Sequence, residues 1–311
     1  MIRPSRRKGG RGTVVWLLLS LLLVGGGTAV WYLNRTIQQG VDLLLHPPRS
    51  LPQQTPAAFG LTAETVQFTA ADGVALTAWF VPPTEAVAGA TLIYVHGYGA
   101  NRAALLDQAA ALHVAGYGAL LLDLRNHGDS AAATTTWGPA EAADVVAAYN
   151  YLLTRPEVNP ARIGLVGKSM GGAVAVMAAQ QLPNLALLVL QSTYVGLEEN
   201  MVNIVPSIAR LPEGLAPFVF RRMDGATVEA LTAVRVAEIV AGLAVPLLVL
   251  HGDQDKLVPL AQGEAIFAAA AGPKQLHVIP GAGHLDTFTI DPESFTAQLE
   301  TFLAEQLPPA D

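Results

Sequence analysis

Six short runs, Thr91–Val95, Ala119–Leu122, Arg162–Val166, Leu187–Leu190, Leu247–Leu250 and Leu276–Ile279, are apolar almost from end to end. A strand with one wet face alternates apolar and polar side chains, so a strand without a polar face has to be covered on both sides. Between these runs lie segments with apolar residues at helical spacing: Ala103–Ala115, Pro139–Leu153 and Met170–Gln181, with Pro292–Leu303 closing the chain. Buried strands alternating with helices predict an α/β fold, a mostly parallel, doubly wound sheet clad by helices on both faces. Two earlier runs, Thr65–Phe68 and Val74–Val81, are joined through Ala71-Asp72-Gly73 with no helix between them. Asp-Gly between such runs is a hairpin signal, so the sheet is expected to begin antiparallel.

The strands account for only part of the apolar excess. The chain of 311 residues is 51% hydrophobic and 14% charged, against about 25% charged in ordinary soluble domains. Low charge excludes a disordered chain. The lack of cysteine excludes a disulfide scaffold, thiolate zinc sites and a cysteine nucleophile. Residues 13–33 form a run without a charge, and about 20 such residues suffice to cross a bilayer. Trp16 stands near one end, and Trp31 and Tyr32 near the other, where an aromatic belt would sit. Five basic residues and no acidic one precede the run, within the tail 1–12. The remaining 13 basic residues face 25 acidic ones, which makes the rest of the chain −12. The positive-inside rule then predicts a single-pass anchor with a cytoplasmic tail and an extracytoplasmic body. The alternative is a signal peptide cleaved near Gly27-Thr28-Ala29 and a secreted body. Residues 34–63 carry Pro47, Pro48, Pro52 and Pro56 and are expected to be an extended linker. The globular domain is placed at 64–308. Its acidic balance gives no support to a nucleic-acid role.

The chemistry concentrates at Gly167-Lys168-Ser169-Met170-Gly171, between the run Arg162–Val166 and the helical segment that follows. Glycines around a serine at a strand-to-helix turn allow a strained backbone that exposes the hydroxyl at the sheet's carboxyl edge. A serine hydroxyl needs a base, and a base needs an orienting acid. His284, on the glycine-rich loop Gly281-Ala282-Gly283, is the candidate base. Asp255 and Asp253, in His251-Gly252-Asp253-Gln254-Asp255, are the candidate acids. Two backbone amides must also meet the developing oxyanion: that of Met170, directly after the serine, and one from the loop His96-Gly97-Tyr98-Gly99.

These segments resemble the α/β-hydrolase superfamily, and within it the serine-aminopeptidase-like branch of esterases and lysophospholipases. The order Ser169, Asp255, His284 is the order of that fold. The resemblance, through Val258-Pro259 after the acid, selects Asp255 over Asp253, and it assigns the second oxyanion amide to Tyr98. The turn Asp123-Leu124-Arg125-Asn126-His127-Gly128-Asp129-Ser130 is similar to a structural turn of the family. Lys168 departs from the pattern, in which histidine is frequent.

The implied activity is hydrolysis of a carboxylic ester through an acyl-enzyme, with no metal or organic cofactor. A small-molecule or lipid ester is the expected substrate. The interval 194–244 breaks the strand–helix rhythm and is expected to form a small helical lid. Val195, Leu197, Met201, Val202, Ile204 and Val205 would line an acyl pocket there, as would Ile208, Leu211, Leu215, Phe218, Val219 and Phe220. The same side chains would equally serve as the lid's own core. A peptidase or acyltransferase with the same triad is the alternative, with Glu198 and Glu199 as candidates to hold a substrate ammonium. A membrane-tethered binding module on a hydrolase scaffold is the non-enzymatic alternative.

Overall fold

The computed structural model describes residues 10–209 and 211–307. The basic tail up to residue 9 and the chain end from 308 lie outside them. One eight-stranded sheet organises the body, in the order β1-β2-β4-β3-β5-β6-β7-β8. Its strands are β1 (Glu64–Thr69), β2 (Ala75–Val81), β3 (Thr91–Val95), β4 (Gly118–Asp123), β5 (Ile163–Lys168), β6 (Leu187–Gln191), β7 (Leu247–Gly252) and β8 (Lys274–Ile279). β2 pairs antiparallel with both β1 and β4, and every later pairing is parallel. Every residue of β3, β4, β6 and β7 is buried, as their unbroken apolar runs require.

Helices cover both faces. α3 (Pro139–Leu152), α4 (Met170–Ala179) and α9 (Leu260–Ala269) contribute to one core, and α2 (Leu106–Val114) and α10 (Pro292–Gln306) to the other. Between β6 and β7 the described residues form four α-helices: α5 (Leu197–Ala209), α6 (Ala216–Phe220), α7 (Gly225–Thr232) and α8 (Val236–Val240). They occupy the interval expected to be a lid. Most of its large side chains join the core on the α3–α4 face of the sheet: Leu197, Met201, Val205, Leu211 and Val219 are buried there, while Val202 and Phe218 are exposed.

The first helix departs from expectation. α1 runs unbroken from Gly10 to Leu45, past the Leu33 boundary, so residues 34–45 are helical rather than extended. The two halves meet different surroundings. Residues 13–35 are exposed all round, and the stretch is long and apolar enough to cross a membrane. At about 1.5 Å per residue, residues 13–33 span about 31 Å, the thickness of a hydrocarbon core. Beyond them Ile37, Gly40, Val41 and Leu44 are buried, at the i, i+3, i+4, i+7 spacing of one helix face. That face packs on α5 and α6. A Cβ on Gly40 would stand 2.9 Å from Leu211 Cδ1, so a glycine is what lets the helix come this close to the lid.

The body also caps the end of α1. Carbonyls of a last helical turn have no intrahelical partner. Here Leu43 O accepts from Tyr98 Oη, Leu44 O from Trp137 Nε1 at 2.9 Å, and Leu45 O from Thr135 N at 2.8 Å and Asn126 Nδ2 at 3.3 Å. Full burial of one Val, Leu or Ile side chain contributes about 1.5–3 kcal/mol, so Ile37, Val41 and Leu44 together represent at least about 4 kcal/mol. A chain starting at His46 should therefore melt about 10 °C below one starting at Asn34, at about 2–4 °C per kcal/mol. Circular dichroism melts of the two fragments check this.

Candidate active site

β5 runs into α4 through Ser169, whose backbone sits at φ 55°, ψ −121°. Such a conformation costs a non-glycine residue about 1–3 kcal/mol and persists only when its surroundings enforce it. The enforcement is steric. A Cβ on Gly171 would lie 2.1 Å from Val95 O, and one on Gly167 would lie 2.4 Å from Gly171 O. Only bare backbone lets the start of α4 pass this close under the end of β3. Ser169 N donates to Gln191 O (2.8 Å), which ties the turn to β6. The positive end of α4 then faces the site.

The structure brings Ser169, Asp255 and His284 together from three loops. His284 Nε2 stands 2.9 Å from Ser169 Oγ, and His284 Nδ1 stands 2.8 Å from Asp255 Oδ2. Asp255 is held from the other side: its Oδ1 accepts from Leu257 N (3.0 Å) and Val258 N (2.8 Å). Burial pushes the Asp255 carboxyl up, but the hydrogen bond and charge of His284, the Val258 amide and His251 outweigh it, and the group lies below its ordinary value. A carboxylate beside His284 needs its proton on Nδ1, which leaves the Nε2 lone pair facing the serine. Asp253 sits elsewhere: it is exposed, and its Oδ1 accepts from Gly281 N (2.8 Å) in the turn before His284.

Lys168 holds the histidine loop. Its Nζ donates to Leu285 O (2.9 Å), directly after His284. Burial pulls the ammonium below its ordinary value, against the opposing pull of Asp107, Asp286 and Asp255.

The loop after β3 lies over the serine. A Cβ on Gly97 would come within 3.4 Å of Ser169 Cβ. The amides of Tyr98 and Met170 donate no hydrogen bond to the described protein, so both remain free for an oxyanion. The Tyr98 ring stacks on Trp137 with centroids 4.5 Å apart and planes at 11°.

Two histidines brace this loop, and backbone partners fix their tautomers. His127 Nδ1 faces Arg125 O (2.8 Å), which can only accept, and its Nε2 accepts from Gly99 N (3.1 Å). His96 Nδ1 faces Gly97 O (2.7 Å), and its Nε2 accepts from Leu124 N (3.2 Å). In the same turn Arg125 pairs with Asp144 (2.7 Å) and Asp72 (2.6 Å), and Ser130 Oγ donates to Asp123 O (2.6 Å).

The site opens into a cavity of about 290 Å³. Of the lid side chains expected to line an acyl pocket, Ile204 and Ile208 do so. Trp137, Tyr194, Asn200 and Leu257 are lining residues that the sequence did not single out. Trp137 lies on a loop before α3 whose amides are held by Glu141, and no motif marked it. Glu198 and Glu199 are exposed and do not line the cavity.

Burial pushes His96 down to about 4; burial and the neighbouring His96 ring push His127 down to about 3. Both folded values lie below the unfolded value of about 6.5. Protons therefore bind the unfolded chain first, so the stability these rings contribute is complete above about pH 6.5 and is lost as pH falls towards 4. The slope is up to about 1.4 kcal/mol per pH unit for each ring. Melting temperature should fall over that window, and His127→Leu should flatten the fall while lowering stability at pH 8. Thermal melts from pH 4.5 to 8 read both effects.

A family model for alpha/beta hydrolases matches residues 92–298. An uncharacterized protein of Mycobacterium tuberculosis (strain ATCC 25618 / H37Rv) is 32% identical over 259 residues, 83% of this chain and 84% of the relative. YfhR of Escherichia coli (strain K12) is 29% identical over 233 residues, 73% of this chain and 75% of YfhR. Among solved structures, the Pyrococcus furiosus esterase Pf2001 matches with a TM-score of 0.69 and 25% identity, covering 84% of this chain and 100% of the esterase. The matched family span takes in the serine elbow, both acidic candidates and the histidine loop, and the chain belongs to the alpha/beta hydrolase family.

Proposed function

We propose that the protein hydrolyses carboxylic esters by a two-step acyl-enzyme mechanism. The observation that carries this reading is the unbroken relay from Ser169 Oγ through His284 to Asp255. Ser169 attacks the ester carbonyl while His284 Nε2 takes its proton. The carbonyl oxygen becomes an oxyanion, which the amides of Tyr98 and Met170 meet. His284 then hands the proton to the leaving alkoxide, and Asp255 stabilises the imidazolium in between. Water, activated by the same imidazole, attacks the acyl-enzyme and restores the serine. The similarity to an esterase of known structure supports an ester rather than an amide as the substrate class.

An ester with a medium or long acyl chain fits the apolar part of the cavity, around Trp137, Ile204, Ile208 and Leu257. The uncharged, exposed half of α1 supports an anchor that brings the body to a bilayer, with the basic tail on the cytoplasmic side and the hydrolase domain across the membrane.

The full chain should label with a fluorophosphonate probe and hydrolyse p-nitrophenyl octanoate faster than the acetate. Ser169→Ala should abolish labelling and cut kcat/KM by about 10⁴-fold or more. A folded wild-type protein that resists the probe overturns the mechanism, and a steep preference for acetate overturns the medium-chain substrate. Retention of the full-length mass in carbonate-washed membranes is the expected result for an anchor. A mature amino terminus near residue 30 would mean cleavage.

A further inference from the structure

Tyr98, whose amide is free beside Ser169, stands between two glycines, Gly97 and Gly99, and Gly99 takes φ 69°. Glycine reaches more backbone conformations than any other residue, so this loop does little to fix its own position. An amide preorganised for an oxyanion therefore needs restraint from outside the loop. The Tyr98 side chain provides it. Its Oη donates to Leu43 O, and its ring stacks on Trp137, whose Nε1 donates to Leu44 O at 2.9 Å. Both members of the stack are thus fastened to consecutive carbonyls in the last turn of α1. Burial pushes the Tyr98 phenol above its ordinary value, so it remains an O–H donor against a carbonyl that can only accept.

The chain beyond α1 extends the contact. Ser50 Oγ donates to Gly99 O (3.4 Å), and Asn101 Nδ2 donates to Ser50 O (3.1 Å) and Ser50 Oγ (3.2 Å). Ala103 N, which can only donate, engages Asn101 Oδ1 at 3.0 Å and so turns the Nδ2 end towards Ser50. Arg49 donates to Gly128 O (2.8 Å) and to Ser130 O, in the turn whose His127 accepts from Gly99 N. The segment 43–50 therefore holds the loop after β3 at Tyr98, Gly99 and Asn101, and also holds the turn behind it. A cap for a helix end needs only a donor. Here the donor belongs to the residue whose own amide is free beside the nucleophile. Ring and amide share one Cα, so a shift of the ring moves the amide.

We infer that the last turn of α1 and the chain after it, residues 43–50, are a positioning element for the oxyanion amide, with Tyr98 Oη and Ser50 as positioning groups. The helix that carries the membrane-length stretch then also supports catalysis. The inference rests on the serine-esterase reading and deepens it. It is independent of whether the uncharged half of α1 is retained, because cleavage near residue 30 leaves residues 43–50 in place.

The test compares the full chain with Tyr98→Phe, Ser50→Ala and the double variant. Each is assayed for kcat and KM on p-nitrophenyl octanoate and for melting temperature. Each is also assayed for inhibition by an octyl trifluoromethyl ketone, to whose carbonyl carbon Ser169 Oγ adds while the carbonyl oxygen takes the negative charge and His284 takes the proton. Tyr98→Phe should lower kcat about 10-fold and the double variant about 100-fold, with KM within about twofold. The Ki of the ketone should rise in parallel, because it too depends on the oxyanion amide. Ser50 is exposed, so Ser50→Ala keeps the test available if Tyr98→Phe fails to fold; it should lower kcat about 3-fold and raise Ki alike. Ile37→Ala, two turns before Leu44 on the docked face, should lower the melting temperature and leave kcat within about twofold. Variants that melt earlier but keep kcat and Ki overturn the inference, as does a fall in kcat with Ki unmoved. It is also overturned if Ile37→Ala cuts kcat as deeply as Tyr98→Phe. Fluorophosphonate labelling at Ser169 accompanies every assay. Labelled wild type with unimpaired variants refutes the positioning role alone, whereas unlabelled, folded wild type refutes the esterase reading beneath it.

Discussion

The start of α4 passes under the end of β3 at a distance no side chain tolerates. Gly167 and Gly171 make the passage possible, and Ser169 between them is forced into the left-handed half of backbone space. The rest of the site depends on this crossing. It sets the Ser169 hydroxyl at the carboxyl edge of the sheet, where the loops after β3, β7 and β8 converge. It also turns the free amide of Met170 and the positive end of α4 towards the position where negative charge would form. The strain is held by the buried sheet on both sides of β5, which lets a turn costing a few kcal/mol persist.

The loops around the elbow are held by partners that cannot change role. Carbonyls only accept and amides only donate, so Arg125 O and Gly99 N dictate the His127 tautomer, and Val195 N dictates the orientation of Gln262 and Asn200. The pocket wall is likewise joined to the first helix. Tyr98 and Trp137 stack on each other and donate to the last turn of α1. The helix that carries the membrane-length stretch therefore ends against residues that line the cavity beside Ser169. Its length divides into an exposed apolar half and an amphipathic half seated on α5 and α6.

Much of this was legible in the residues. The sheet could be read because a strand without a polar face has only one stable environment, and the hairpin because Asp72-Gly73 interrupts two β-type runs. The serine elbow could be read because glycines on both sides of a serine at a strand-to-helix boundary have few other uses. The docked half of α1 was also written in the chain, as Ile37, Gly40, Val41 and Leu44 at helical spacing. Four prolines downstream drew the reading towards a linker, although the first of them, Pro47, lies beyond the helix end. Helices fill the interval between β6 and β7, but its apolar side chains could not be divided into core and pocket from the sequence. Leu197 and Ile204 look alike in sequence and are buried in the same core, and only packing puts Ile204 on the cavity as well.

By itself, then, the sequence determined the layer architecture, the single uncharged segment and the residue types available for nucleophilic chemistry, because periodicity and local turn chemistry act between near neighbours in the chain. Tertiary structure alone decided which partners meet. It placed Lys168 on the histidine loop, moved Glu198 and Glu199 away from the cavity and left one donor of Asn200 unpaired. Each of these depends on hydrogen bonds or contacts between residues brought together by the sheet and the lid, and such pairings leave no period or motif in a single chain.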